Sequence, residues 1–116
     1  MSAGNQWVRV ARTEDIPADT GACAKVGDMQ IAVFNFSSRG EWYACQNHCP
    51  HKHDMVLARG LLGDLGGEPK VACPQHKKTF SLQTGKNLGG EAYCIRTFQV
   101  KIEGHEVLLG IENLNL

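Results

Sequence analysis

Ala22-Cys23-Ala24-Lys25-Val26-Gly27-Asp28-Met29-Gln30-Ile31-Ala32-Val33-Phe34-Asn35-Phe36 decides the fold class. Two short apolar runs, rich in β-prone residues, are broken by Gly27-Asp28, which is a tight hairpin signal. The pattern repeats outward in both directions. Upstream, Trp7-Val8-Arg9-Val10 alternates and reads as a first strand, and Thr13-Glu14-Asp15-Ile16-Pro17 reads as a capped turn of at most one helical turn. Downstream, Ser37-Ser38-Arg39-Gly40 turns the chain into a strand, Glu41-Trp42-Tyr43-Ala44-Cys45. Gln46 to Asp54 is polar, contains Pro50 and reads as a loop. The stretch holding Gly60, Gly63, Gly66, Gly67 and Pro69 reads as turns. Lys70-Val71-Ala72-Cys73 is a short strand, Pro74 to Lys78 a second loop, Thr79-Phe80-Ser81-Leu82 another strand, and Gln83-Thr84-Gly85 a turn. Strands are expected from Tyr93 to Ile102 and from Glu106 to Ile111, joined at Gly104-His105. No segment has sustained helical periodicity. The expectation is an all-β chain: a small antiparallel sandwich or barrel with two ligand loops at the tips of adjacent hairpins.

At 116 residues the chain has room for one hydrophobic core, so residues 1–116 are expected to form a single domain. Lys plus Arg and Asp plus Glu are both 12, and no strong field draws the chain to nucleic acid or to an anionic membrane. The polar start, Met1-Ser2-Ala3-Gly4-Asn5-Gln6, has no basic-then-apolar signal pattern, and the apolar runs are strand-length. A cytoplasmic location is the expectation. Five cysteines, Cys23, Cys45, Cys49, Cys73 and Cys94, form an odd set with no secretion signal. That points to metal or catalytic thiolates rather than a disulfide framework.

The chemistry is concentrated in two short segments, Cys49-Pro50-His51 and Cys73-Pro74-Gln75-His76. Each supplies one thiolate and one imidazole. A Rieske centre uses two Cys on one iron and two His on the other, so each segment would reach both irons. Proline after each Cys fixes the backbone and removes one N–H beside the thiolate. The other loop N–H groups are then left to donate to the sulfurs. The same four donors also make a zinc set. Zinc fingers, however, group a Cys pair before a His pair, commonly with a helix carrying the histidines. A Cys-His hydrolase is disfavoured because no orienting carboxylate or oxyanion motif accompanies the pair. Register in the first loop is open, since Cys45 and His48 also carry donor atoms. Cys45 ends a strand and reads as a small buried residue. Cys23 and Cys94 fall in strand patterns and read as core, His105 as an exposed turn residue, His48 as a solvated loop residue and His53 as a residue that either supports the ligands from behind or faces a partner.

Taken together, these residues resemble the Rieske ferredoxin family, and within it the small subunits of assimilatory NAD(P)H-dependent nitrite reductases. The resemblance runs from Trp7 through Ile111. Its specific parts are Cys49 to Asp64, with Arg59-Gly60-Leu61-Leu62-Gly63-Asp64, and Gly67 to Phe80, with Lys77-Lys78 after the last ligand. It implies a [2Fe–2S] cluster on Cys49, His51, Cys73 and His76, and a large partner subunit carrying FAD, sirohaem and a [4Fe–4S] cluster that reduces nitrite to ammonium. Lys52, Lys77 and Lys78 would then rim the ligand loops and dock an acidic partner. Respiratory Rieske proteins bridge their loops by a disulfide, whereas Asp54 and Gln75 occupy those positions here. They also direct Ser and Tyr hydroxyls at the cluster, where this chain has Lys78 and Phe80. Without those donors the resemblance implies a potential near the low end of the Rieske range, roughly −150 mV. Two other readings stay in play: a ferredoxin serving an aromatic-ring oxygenase, and a structural or zinc-binding module without redox function.

Overall fold

The computed structural model describes residues 5–50, 55–74, 78–92 and 94–112. Nine strands make up the described residues: β1 Asn5–Arg12, β2 Thr20–Val26, β3 Met29–Phe36, β4 Glu41–Gln46, β5 Leu61–Leu65, β6 Glu68–Ala72, β7 Thr79–Ser81, β8 Thr97–Glu103 and β9 Glu106–Glu112. All pairings are antiparallel. Six strands form one sheet in the order β1-β9-β8-β4-β3-β2, and three form a second in the order β5-β6-β7. The two edge strands of the larger sheet, β1 and β2, touch each other, so that sheet curls toward a barrel. Three single 3-10 turns, Thr13–Asp15, Ser37–Arg39 and Leu57–Arg59, are the only helical pieces among the described residues.

The Gly27-Asp28 hairpin forms as its sequence requires, with Val26 paired to Met29 across a two-residue turn. Only Gly27 has positive φ there, as a II′ turn needs. Gly66-Gly67 joins β5 to β6 with both φ positive, the I′ pattern. The middle of β3, Ile31 to Phe34, is an unbroken apolar run because both of its faces are buried. Ile31 and Val33 point into the curled sheet with Ala44, Val107, Leu109 and Ile111. Ala32, Phe34 and Phe36 point the other way, into a second core with Leu57, Val71, Phe80 and Ile95 that joins the two sheets.

Three expectations need correction. The Gly/Pro-rich stretch is not all turn, because β5 runs through Gly63 and pairs with β6. Pro69 sits in the middle strand of that sheet, yet the β6–β7 pairing starts only at Lys70. Its missing N–H therefore breaks no rung. The expected strand from Tyr93 begins only at Thr97. Cys94 precedes it in irregular chain and is exposed, and Cys23 lies on the edge strand β2, also exposed. Neither is a core residue.

The Leu57–Arg59 turn is held down by close backbone approach. A Cβ on Gly60 would lie 2.5 Å from Val71 Cγ2 and 2.6 Å from the Ala72 carbonyl oxygen. Gly60→Ala should therefore cost about 1–3 kcal/mol by overpacking. Urea unfolding should show it as a lower midpoint at unchanged slope. An unchanged midpoint would mean that this contact relaxes freely.

Candidate metal centre

The first Cys-bearing loop leaves β4 and returns before the Leu57–Arg59 turn. Backbone geometry pinches it shut at its base. His48 and Met55 form an antiparallel bridge, and the Leu57 N–H donates to the Asn47 carbonyl at 3.0 Å. Gln46 braces the same base. Its side-chain amide donates to the His48 carbonyl at 2.7 Å, and its Oε1 accepts the Arg96 N–H at 2.8 Å. The second loop is the tip of the β6–β7 hairpin, closed by the Cys73 N–H donating to the Lys78 carbonyl at 2.8 Å. The first loop thus connects the two sheets, while the second lies within one.

Cys49 and Cys73 sit at these two necks, 0% and 1% exposed, and both belong to the core between the sheets. Each is followed at once by a proline, and Pro74 is already exposed, so the chain leaves the core directly after the thiol. Two buried thiols from separate closed loops belong to the same apolar cluster. That is half of the expected donor set, in a setting that excludes water. His51 and His76 lie outside the described residues, as do Lys52, His53, Gln75 and Lys77. Among the described residues no group of three or more His, Cys, Asp or Glu side chains comes together. The donor chemistry present fits an iron–sulfur cluster: soft thiolates at fixed positions, and in the sequence one imidazole within three residues of each.

Cys45 is a different kind of residue. It is fully buried on β4 in the same core, and burial pushes its thiol up to about 12. It behaves as a small apolar side chain, as its strand position implies. His48 is half-buried at the loop base rather than solvated, and His105 is exposed in the β8–β9 turn. Lys78 is ion-paired with Glu91 at 3.0 Å, and Asn87 donates to the other Glu91 oxygen at 3.4 Å. Its charge is therefore partly offset beside the second loop. Asn47, which nothing in the sequence marks out, is 3% exposed at the first loop's base.

Away from the loops, Arg39 ties the sheets together. It pairs with Glu41 at 2.7 Å and with Asp64, and donates to the Gly67 carbonyl at 3.1 Å. The Tyr43 hydroxyl donates to Glu41. That hydrogen bond, together with Arg39, holds the Glu41 carboxyl below its ordinary range. Burial, reinforced by Glu41, raises the Tyr43 hydroxyl. This is a structural tie between the Ser37–Arg39 turn, β4 and the β5–β6 hairpin, not a reacting group.

The all-β fold, with a buried cysteine at the neck of each of two loops, defines the class. Residues 6–110 match the Rieske-like [2Fe-2S] domain, and the chain belongs to that family. Within it, the chain is 31% identical over 105 residues to the nitrite reductase (NADH) small subunit of Escherichia coli, covering 90% of this chain and 97% of that one. It is 44% identical over 111 residues to the nitrite reductase [NAD(P)H] of Emericella nidulans, where 84% of this chain spans only 10% of the relative's length. The solution structure of the nitrite reductase [NAD(P)H] small subunit from Erwinia carotovora superposes with a TM-score of 0.79 at 31% identity, covering 100% of this chain and 87% of that one. The ferredoxin component of naphthalene 1,2-dioxygenase/salicylate 5-hydroxylase systems from Ralstonia is 35% identical over 112 residues, with 91% and 96% covered. No helix among the described residues is long and apolar enough to cross a membrane.

The thiols should be separable chemically. In the metal-free chain at pH 8, Cys23 and Cys94 should react with an aromatic disulfide reagent as ordinary exposed thiols, and Cys45 about a hundredfold or more slower. The same shift has a sign in stability. Below about pH 9 the Cys45 thiol is neutral in both states. Between there and about 12 only the unfolded chain ionises, so stability falls as pH rises through that window. Cys45→Ala should flatten that alkaline loss. Rapid labelling of Cys45 in the folded chain would contradict its burial.

Proposed function

We propose that this chain is the electron-transfer small subunit of an NAD(P)H-dependent nitrite reductase, acting as one domain over residues 1–116. A Rieske-type [2Fe–2S] cluster would be held by Cys49, His51, Cys73 and His76. The observation that carries the reading is the burial of Cys49 and Cys73 in one apolar cluster, each at the base of a separately closed loop. When bound, such a cluster supplies one-electron transfer.

The chain's own residues do the positioning. The buried thiols bind as thiolates, and the core around them keeps water away. His51 and His76, two and three residues after the thiols, would supply the imidazoles. The resemblance assigns catalysis to a large partner subunit bearing FAD, sirohaem and a [4Fe–4S] cluster, with nitrite reduced to ammonium there in the cytoplasm. The Emericella relative supports this partnership, because a segment like this chain is one part of a much longer nitrite reductase. Lys52 and Lys77, with Lys78 contributing less because of Glu91, would form a basic rim for docking. The oxygenase-ferredoxin reading is the alternative, favoured by the 35% identity to the Ralstonia component.

Reconstitution tests the proposal. Adding the cluster-loaded chain to the flavin- and sirohaem-containing subunit should raise nitrite-dependent NAD(P)H oxidation. Cys73→Ser should abolish at least about nine-tenths of that gain, since a lost ligand removes the cluster. Full activity with Cys73→Ser would make the role structural. Electron delivery to a ring-hydroxylating oxygenase, with none to nitrite, would favour the alternative. Lys52→Glu and Lys77→Glu should weaken the complex and its salt dependence, and an unchanged complex would remove the basic rim.

A further inference from the structure

Asn47 is the buried polar side chain at the base of the first loop, and its contacts span that loop. Residues 57 and 58 open the Leu57–Arg59 turn, and the first N–H groups of any such turn lack a partner within it. The turn has no side-chain cap of its own. Asn47 supplies both missing acceptors from across the loop. Its carbonyl takes the Leu57 N–H at 3.0 Å, and its side-chain Oδ1 takes the Ala58 N–H at 2.7 Å. On the other side it is fastened to β3 and β2. Its N–H donates to the Gln30 carbonyl at 3.0 Å. Its Nδ2 donates to Gln30 Oε1 at 3.2 Å and points at Cys23 Sγ at 3.6 Å. Every hydrogen-bonding group of the residue is engaged, at 3% exposure, so the side chain has one orientation to occupy.

We infer that Asn47 is a positioning residue for the candidate metal centre: a clamp that joins the two ends of the first ligand loop and thereby fixes the base on which Cys49 sits. This rests on the proposed cluster set. Residues 47 and 58 bracket the segment that contains both ligands, so a change in their separation moves the ligands relative to Cys73, which is anchored independently on the β6–β7 hairpin. Alanine at position 47 leaves the backbone bonds and removes the side-chain pair. The Ala58 N–H is then buried without an acceptor, and the loop base opens more often. Aspartate keeps an oxygen for Ala58, and Gln30 can turn its amide to donate to the second oxygen.

The test compares cluster-loaded wild type with Asn47→Ala, Asn47→Asp and a control, Val33→Ala, which lies in the other core. Iron release to a chelator is the readout, with urea midpoints measured alongside. Asn47→Ala should release iron about tenfold faster than Val33→Ala when compared at equal residual stability. Asn47→Asp should recover most of that difference. Equal release from Asn47→Ala and Val33→Ala would reduce Asn47 to general stability and overturn the clamp, leaving the cluster assignment intact. A wild-type chain that takes up no iron would instead overturn the cluster assignment. If Asn47→Ala fails to fold, amide exchange in the wild type decides. The Leu57 and Ala58 amides should be as protected as those of β3, and exchange at loop rates would overturn the clamp.

Discussion

β3 is buried on both faces, and the molecule is organised around that constraint. A strand exposed on one side would need only one apolar set. This one carries Ile31 and Val33 for the curled sheet and Ala32, Phe34 and Phe36 for the core shared with the smaller sheet. The second face does the functional work. By drawing β5-β6-β7 and the Leu57–Arg59 turn against it, the core takes in both Cys49 and Cys73, one from the loop that joins the sheets and one from a hairpin of the smaller sheet. Phe80 and Leu57, both fully buried, supply much of that attachment, each contributing on the order of 1.5–3 kcal/mol by burial.

The two loops are anchored by different means. The second is an extension of a hairpin, and one further rung from the Cys73 N–H closes it. The first has no partner strand of its own, so side chains take over where the ladder stops: Gln46 toward Arg96, and Asn47 toward Ala58 and Gln30. Gly60, with no room for a Cβ, lets the turn after the loop press against Val71 and Ala72. Two loops each closed at the base are a way to preset the two cysteines before a cofactor arrives, which lowers the cost of assembling the proposed site.

Much of this was legible in the sequence where the cause is local. The Gly27-Asp28 hairpin, the Thr13–Asp15 turn and the identity of Cys45 as a core residue follow from turn chemistry and strand position. The class of cofactor follows from Cys-Pro-His and Cys-Pro-Gln-His. What was not legible depends on long-range partners. β5 was hidden because its glycines suit turns, yet Gly63 sits opposite Lys70 and leaves space for that side chain to lie across the strand. Cys23 has an apolar neighbourhood in sequence but is exposed, because β2 is an edge. Asn47 was invisible as a clamp because its partners are eleven and seventeen residues away, and no short pattern encodes that pairing.

The central claim is that the two Cys-His segments hold a mixed-ligand iron–sulfur cluster. The most direct measurement is quantification of iron, acid-labile sulfide and zinc in the anaerobically purified chain, with an EPR spectrum after dithionite reduction. The account predicts two irons and two sulfides per chain, no zinc, and the low average g value of a cluster with both His and Cys ligands. One zinc and no sulfide, unchanged after anaerobic reconstitution with iron and sulfide, would contradict it.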